Sequence, residues 1–407
     1  MKKILKLIDK TKILTILRVW DFPSGLFPWL QPASLKPPLR GVVGMKVPSW
    51  LANVPLLFKE NRIDRFYIGG SGLAAWRHAA PEPDGHHCEE LLVSSIGAIV
   101  TGKPAGYAVS VTIDEQGALP LDKIIQAYPD EVLGTSFQEY NPGQLSVLAR
   151  AGDTTVRLPM QCHPTKADAR RYFDMSMGKT EAWYIARTRE DCDDPCVYVG
   201  FRPHVTRELF ERLFMEQDIE GMLGCLHRIS VRQGDVVLVP AGMPHCVGPG
   251  CLFVEFHECN DMTIRVEREV NGLVLADEEL FGGLDVEHGL GLFDYTTYTE
   301  DEVRRRCVME PTQLDSSEGG DRFSFVGSEQ GEGFLVEIVN VHGTYELPRF
   351  DGHRVLVALD GDVELQAPTG TYRLRQGFGA CVPAACKGLL LKGGCARVAI
   401  GIPRIVS

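Results

Sequence analysis

The stretch GDVVLVPAGMPH, residues 234–245, decides the fold. Gly234-Asp235 makes a tight turn, Val236–Val239 is a short apolar strand, and Pro240 and Gly242 reverse the chain. That reversal delivers His245 to the inner side of the wall the strand belongs to. Earlier, PMQCHPTKADARRYFDMSMGKTEAWYIA, residues 159–186, carries two further pairs. Gln161 and His163 sit two apart, and so do Lys179 and Glu181. On extended backbone, residues i and i+2 point to one face. An amide, an imidazole and a carboxylate can therefore aim into one cavity, and His245 completes the set. Gln161, His163, Glu181 and His245 are the candidate metal ligands. By ligand type, iron, manganese and cobalt stay open beside zinc. Four ligand-type residues at this spacing outweigh a reading as separate structural side chains.

Working outward, the texture is mainly β with inserted helices. Strands are expected at Glu90–Ile99, Tyr107–Ile113, Leu145–Arg150, Thr154–Met160, Glu181–Arg187, Cys196–Phe201, Arg228–Val231, Val236–Val239, Cys251–Phe256 and Thr263–Val266. A further run of short strands spans Phe334–Ile402. Helices are expected over Leu121–Leu133, stopped by Gly134, from Pro164 to Phe173, over Thr206–Glu216 with Thr206 as cap, over Asp218–Leu223, and near Asp301. The glycines of IGGSG, residues 68–72, suggest a close backbone approach; without a lysine they are weak evidence for a phosphate loop.

Length and charge bound the function. A chain of 407 residues is long enough for two or more packed units. Net charge is −12 with no long basic run, which argues against nucleic acid as the main partner. No stretch is apolar and long enough to span a membrane. The twelve cysteines lack a disulfide framework and read as reduced, buried thiols of a cytoplasmic protein. Cys192 and Cys196 flank DDP, yet no second pair lies nearby to complete a metal site. The first twenty residues begin like a signal peptide, but charges at Lys6, Asp9, Lys10 and Lys12 break the apolar run, so a docked amphipathic segment is expected. Asp21–Pro55 is rich in Pro and Gly and reads as an irregular arm.

The turn that delivers His245 resembles the second motif of the cupin superfamily, and Gln161, His163 and Glu181 resemble its first. The combination is narrower than that. Gln-x-His-Pro, then Gly-Lys-Thr-Glu-x-Trp-Tyr-Ile, then the His245 loop, then Glu255…Asp261-x-x-x-Arg265, resembles type I mannose-6-phosphate isomerases. FKENRI, EELLVSS, LDKIIQAYPDEVLG and GFRPHVTRELFERL have counterparts in similar order, so the resemblance runs from about Pro55 to the C-terminus. It implies two cupin (jelly-roll) β-barrels, the N-terminal one metal-binding. The C-terminal one looks degenerate: Gly377 to Pro383 repeats the Gly234-to-Pro240 spacing, but Gly388 stands where a histidine would recur. The expected division is a Pro-rich arm over 1–55, a metal-binding domain over 56–270, and a linker helix with the degenerate barrel over 271–407. His342 and His353 read as structural or surface histidines.

The resemblance further implies zinc and an aldose–ketose isomerase acting on a small sugar or sugar phosphate through an enediol. That chemistry needs a base near neutral pKa and cations for the developing oxyanion. Glu255 is the candidate base, Arg265 stabilises the enediolate or holds phosphate, Asp261 orients Arg265, and Lys179 assists ring opening or binds an anion. The plainer readings are a salt-bridged strand-end carboxylate for Glu255 and a solvated loop lysine for Lys179. Two positions depart from the family pattern. His257 stands where Gln is common; it could support the site, carry a proton, or be a satisfied core histidine. Pro159 stands where the family often carries a phosphate-binding Ser, and proline offers neither hydroxyl nor N–H. An unphosphorylated sugar therefore stays open as substrate. Other classes are an iron-dependent cupin oxygenase and a non-catalytic sugar-binding protein. A homodimer also stays open.

Overall fold

The computed structural model describes residues 46–330 and 332–406. The expected N-terminal amphipathic segment and most of the arm lie outside them. The described residues from 47 onward form one compact unit. Its four main sheets have seven, five, seven and four strands.

Period-two alternation explains how the sheets stack. In the strand Glu181–Thr188, Trp183 and Ile185 enter a core shared with the five-stranded sheet, where Val197, Val199, Ile229 and Val247 meet them. Ala182, Tyr184 and Ala186 point the other way. There they join Val254 and Phe256 against Val336, Ile338, Val355 and Val357 of the second seven-stranded sheet. The four-stranded sheet closes a third core with Val363, Leu365, Leu374 and Leu391. Each buried Leu, Ile or Phe contributes about 1.5–3 kcal/mol.

The central sheet runs Val308–Met309, Val236–Val239, Glu181–Thr188, Cys251–Glu258, Val147–Asp153, Glu89–Val93, Arg62–Ile63. The five-stranded sheet facing it runs Ile264–Arg265, Gln161–Cys162, His245–Val247, Cys196–Phe201, Leu226–Ser230. Two strands cross the expected boundary at residue 270. Leu56–Leu57 pairs with Gly379–Val382, and Val308–Met309 pairs with Val236–Val239.

Several expectations change in detail. Leu121–Leu133 is two helices, Leu121–Ala127 and Pro129–Leu133, because Pro129 pushes Tyr128 out of helical dihedrals (φ −140, ψ 63). Thr154–Met160 is not a strand. Thr154 turns its hydroxyl to the carbonyls of Gly248 and Cys251, and Pro159 has no ladder N–H to give. Tyr107–Ile113 makes only isolated bridges. The insertion helix is Lys166–Phe173, capped by the Thr165 hydroxyl. Cys192 and Cys196 are free thiols.

The IGGSG turn is filled from within. Asp153 Oδ2 accepts from Gly70 N at 2.7 Å, Gly72 N at 2.9 Å and Arg189 Nη1 at 2.9 Å. A Cβ on Gly69 would meet the Asp153 carbonyl. The amides that could have cradled a phosphate are committed to a carboxylate. Asp153→Ala should therefore cost about 3 kcal/mol, the size expected when one partner of a buried ion pair is removed. An unfolding free energy from urea titration within about 0.5 kcal/mol of wild type would show that the glycines hold the turn alone.

Candidate active site and metal centre

The two sequence motifs meet through backbone first. Gly242 adopts φ +83, Met243 N closes the turn on Pro240 O at 3.1 Å, and Gly242 N donates to His163 O at 2.7 Å. His245 pairs in register with Gln161, and Gln161 with Arg265. Directly opposed residues share a face, so Arg265, Gln161 and His245 form one row. The facing sheet supplies a second row. His257 pairs with Glu181 and Glu255 with Arg150. The cavity lies between the rows, at one end of the core that holds Trp183 and Phe253.

His163, Glu181 and His245 offer ligand atoms that all lie within 4.8 Å of one another. Glu181 Oε2 is 3.1 Å from His163 Nε2, and its Oε1 is 3.1 Å from His245 Nε2. The Gln161 amide nitrogen is 3.3 Å from His245 Nε2; a half-turn of the amide presents its oxygen instead. Each imidazole is oriented from behind: the Nδ1 of His163 donates to Met262 O and that of His245 to Met243 O, both at 2.8 Å. A carbonyl only accepts, so each Nδ1 carries the proton and each Nε2 is aimed at the cluster. Burial, then the Lys179 ammonium, push His163 down to about 3 despite Glu181. Its Nε2 is thus a lone pair against a carboxylate oxygen, with the Lys179 ammonium 3.0 Å away. Two acceptors at that distance require a cation between or beside them, and this donor set fits a divalent ion.

Lys179 is no solvated loop lysine. It is buried, with Nζ 2.7 Å from Glu181 Oε2, 3.0 Å from His163 Nε2 and 3.1 Å from Glu255 Oε1. Burial would raise Glu181, but Lys179 and the two histidines hold it well below the usual carboxylate range. Glu255 goes the other way. Burial and the Glu181 charge lift it to about 7, against the pull of Lys179 and Arg150.

Among the described contacts, Asp261 makes none with Arg265. Its Oδ1 takes Arg150 Nη2 at 2.5 Å, with Arg65 Nη2 at 3.6 Å, and its Oδ2 takes the amide of Ile99 at 2.7 Å. Arg150, Arg65 and Lys179 overcome burial and keep Asp261 ionised far below its ordinary value. Arg265 stands apart, half-buried over the Phe66 ring at 5.2 Å, donating to Glu279 O at 3.0 Å. Burial and the neighbouring Arg65 lower it to about 10, so it is a cation at neutral pH. It makes no ion pair among the described residues.

His257 is a satisfied core imidazole: Nδ1 donates to Glu258 O at 2.7 Å and Nε2 accepts from Arg150 Nε at 3.2 Å. Burial, then Arg150 and Lys179, keep it neutral. The sequence reading missed Arg150, Arg65 and Glu89. The available signal was a lone arginine among small apolar residues in VLARAGD, at a position of inward parity. In the C-terminal sheets, His342 is exposed beside Asp321, and buried His353 accepts from Ser146 N at 3.1 Å.

No family model matches the chain. Among curated proteins, "Probable mannose-6-phosphate isomerase GmuF" of Bacillus subtilis is 30% identical over 146 residues, 36% of this chain and 42% of GmuF. Mannose-6-phosphate isomerase ManA of Bacillus subtilis is 24% identical over 214 residues, 52% of this chain and 60% of ManA. The chain is thus similar to mannose-6-phosphate isomerases. Across four such relatives, the matched part spans 42% to 70% of the relative. Folds agree over more of the length. The crystal structure of mannose 6-phosphate isomerase from Bacillus subtilis superposes with TM-score 0.66 at 19% identity, covering 85% of this chain and 99% of that one. A mutant phosphomannose isomerase from Salmonella typhimurium gives TM-score 0.65 at 13% identity, covering 86% and 100%.

A divalent ion at about 1,000 times its Kd should stabilise the wild-type protein by the order of 4 kcal/mol and so raise its melting temperature. His245→Ala should abolish both the rise and the metal retained after dialysis. Calorimetry with and without metal checks this; a variant that keeps the full rise would move the ion elsewhere.

Proposed function

We propose that the protein is a metal-dependent aldose–ketose isomerase acting on mannose 6-phosphate or a related sugar. The observation that carries the reading is the buried cluster of His163, Glu181 and His245, with half-buried Gln161 at its edge, beside a carboxylate, Glu255, poised near neutral pKa. The four would hold zinc or another divalent ion, which supplies Lewis acidity toward sugar oxygens. The remaining chemistry belongs to the chain. Glu255 takes the proton from C2 of the open-chain aldose. The C–H electron pair becomes the C1=C2 bond of a cis-enediolate, and the carbonyl oxygen becomes an oxyanion. Lys179 and Arg265 are the cations that meet it. The C2 hydroxyl proton passes to the C1 oxyanion, and as Glu255 returns its proton to C1 the C1=C2 pair forms that C–H bond while the O2 electron pair becomes the C2 carbonyl; the ketose results with no outside oxidant or reductant. In this reading the sheets form two cupin barrels, over 56–270 and 271–407, of which only the first keeps a polar interior.

Pro159 favours a second reading of the substrate. It is buried, and the amides on either side are occupied: Leu158 N by Val247 O at 2.9 Å, and Met160 N by Glu267 Oε1 at 2.7 Å. That corner has no free donor for a phosphate. A phosphorylated substrate would have to rest its anion on Arg265; an unphosphorylated one needs no such partner. Turnover of mannose 6-phosphate against free mannose, fructose and lyxose decides between them, and absence of turnover on all would refute the isomerase reading.

Glu255→Gln should lower kcat by about 10²–10⁴-fold. The pH profile of kcat/KM should fall on the acid side with an inflection near 7, because below it Glu255 holds its proton and cannot accept one. An acid limb near 4.5 would remove Glu255 from the role.

A further inference from the structure

Resting on the isomerase reading, we propose that Arg150 is a positioning residue of the pocket: its guanidinium fixes the carboxylate of Glu255 and the ring of His257 beside Lys179. Arg150 is 5% exposed and lies directly opposite Glu255 on the neighbouring strand. Every arm of its fork is engaged. Nε faces Glu255 Oε1 at 3.5 Å and His257 Nε2 at 3.2 Å, Nη1 donates to Glu89 Oε1 at 2.9 Å, and Nη2 to Asp261 Oδ1 at 2.5 Å. Glu89 is itself fixed, by Arg65 Nε at 2.9 Å and the Tyr67 hydroxyl at 3.0 Å. The fork is therefore locked from behind, and a planar fork transmits that orientation in a way a lysine ammonium does not.

The consequence sits on one atom. Glu255 Oε1 is buried and accepts no hydrogen bond. Two cations, Lys179 and Arg150, hold it by charge from 3.1 and 3.5 Å. An oxygen held in place yet free of donors is suited to receive a proton from carbon. Arg150 cannot carry that proton itself, since its three carboxylate neighbours outweigh burial and hold it protonated. His257, neutral and accepting from Nε, braces the fork from the far side.

Arg150→Lys keeps the charge and loses the fork, while Arg150→Met loses both. With wild type turning over a sugar, Arg150→Lys should lower kcat by about 10–100-fold with KM within about threefold. Its acid limb should move to higher pH, because a cation beside Glu255 has been displaced. Unchanged kcat and an unmoved acid limb in Arg150→Lys would overturn the proposal, and so would a loss confined to melting temperature or metal content. If wild type turns over no sugar, the isomerase reading fails separately. The ¹³C titration of the Glu255 carboxyl, assigned against Glu255→Gln, then decides. An upward move in both Arg150 variants supports positioning, and a superimposable curve in either overturns it.

Discussion

The pocket depends on a buried carboxylate placed between two imidazoles. Glu181 has each oxygen within 3.1 Å of a histidine Nε2, in a strand otherwise devoted to Trp, Tyr and Ile. An ion this deep costs several kcal/mol of lost hydration unless positive charge answers it. Lys179 meets Oε2, and among the described contacts it does not reach Oε1. The backbone carbonyls behind both imidazoles force their lone pairs forward. Every nearby choice of residue therefore raises the demand for a cation at one point, and the sheets are arranged to keep that point fixed.

Charge around the point is balanced rather than neutral by default. Glu89, Glu181, Glu255 and Asp261 alternate in space with Lys179, Arg150 and Arg65. The alternation separates two carboxylates of similar burial. Glu181, with Lys179 at 2.7 Å and a histidine on each oxygen, falls in pKa; Glu255 has Lys179 at 3.1 Å and Arg150 at 3.5 Å, but burial and the Glu181 charge outweigh them and it rises. One carboxylate is thereby suited to hold a cation and the other to exchange a proton, a division of labour set by environment and not by residue type.

What could be read from the sequence follows the range of the interactions. Gln161 with His163, and Lys179 with Glu181, are local pairs whose common face is fixed by strand geometry. The Pro240–Gly242 turn is local too, and it announces His245. The strand Val236–Val239 and the helix capped by Thr206 were legible for the same reason. The partners of Asp261 were not, because Arg150 and Arg65 come from strands and loops far away in sequence. Cross-strand register decides which arginine meets which carboxylate, and register is not a local property. The break at Pro129 was a different failure. The apolar spacing of Leu121–Leu133 fits one helix, but the missing N–H and the constraint on Tyr128 outweigh it.

The C-terminal sheets show what the site would be without its polar residues. Gly377 keeps the positive φ of Gly234, at +80 against +96, so the turn leading into each wall strand is built alike. Beyond the strand Gly379–Val382, however, the inward positions go to Val, Leu and Cys. With Gly388 in place of a histidine, the space closes as an apolar core. The second pair of sheets then has a different use: it covers the outer face of the central sheet, against Phe256 and Val254. Burying that face from behind pins the strand Cys251–Glu258 in register, and register is what places Glu255 opposite Arg150 and His257 opposite Glu181.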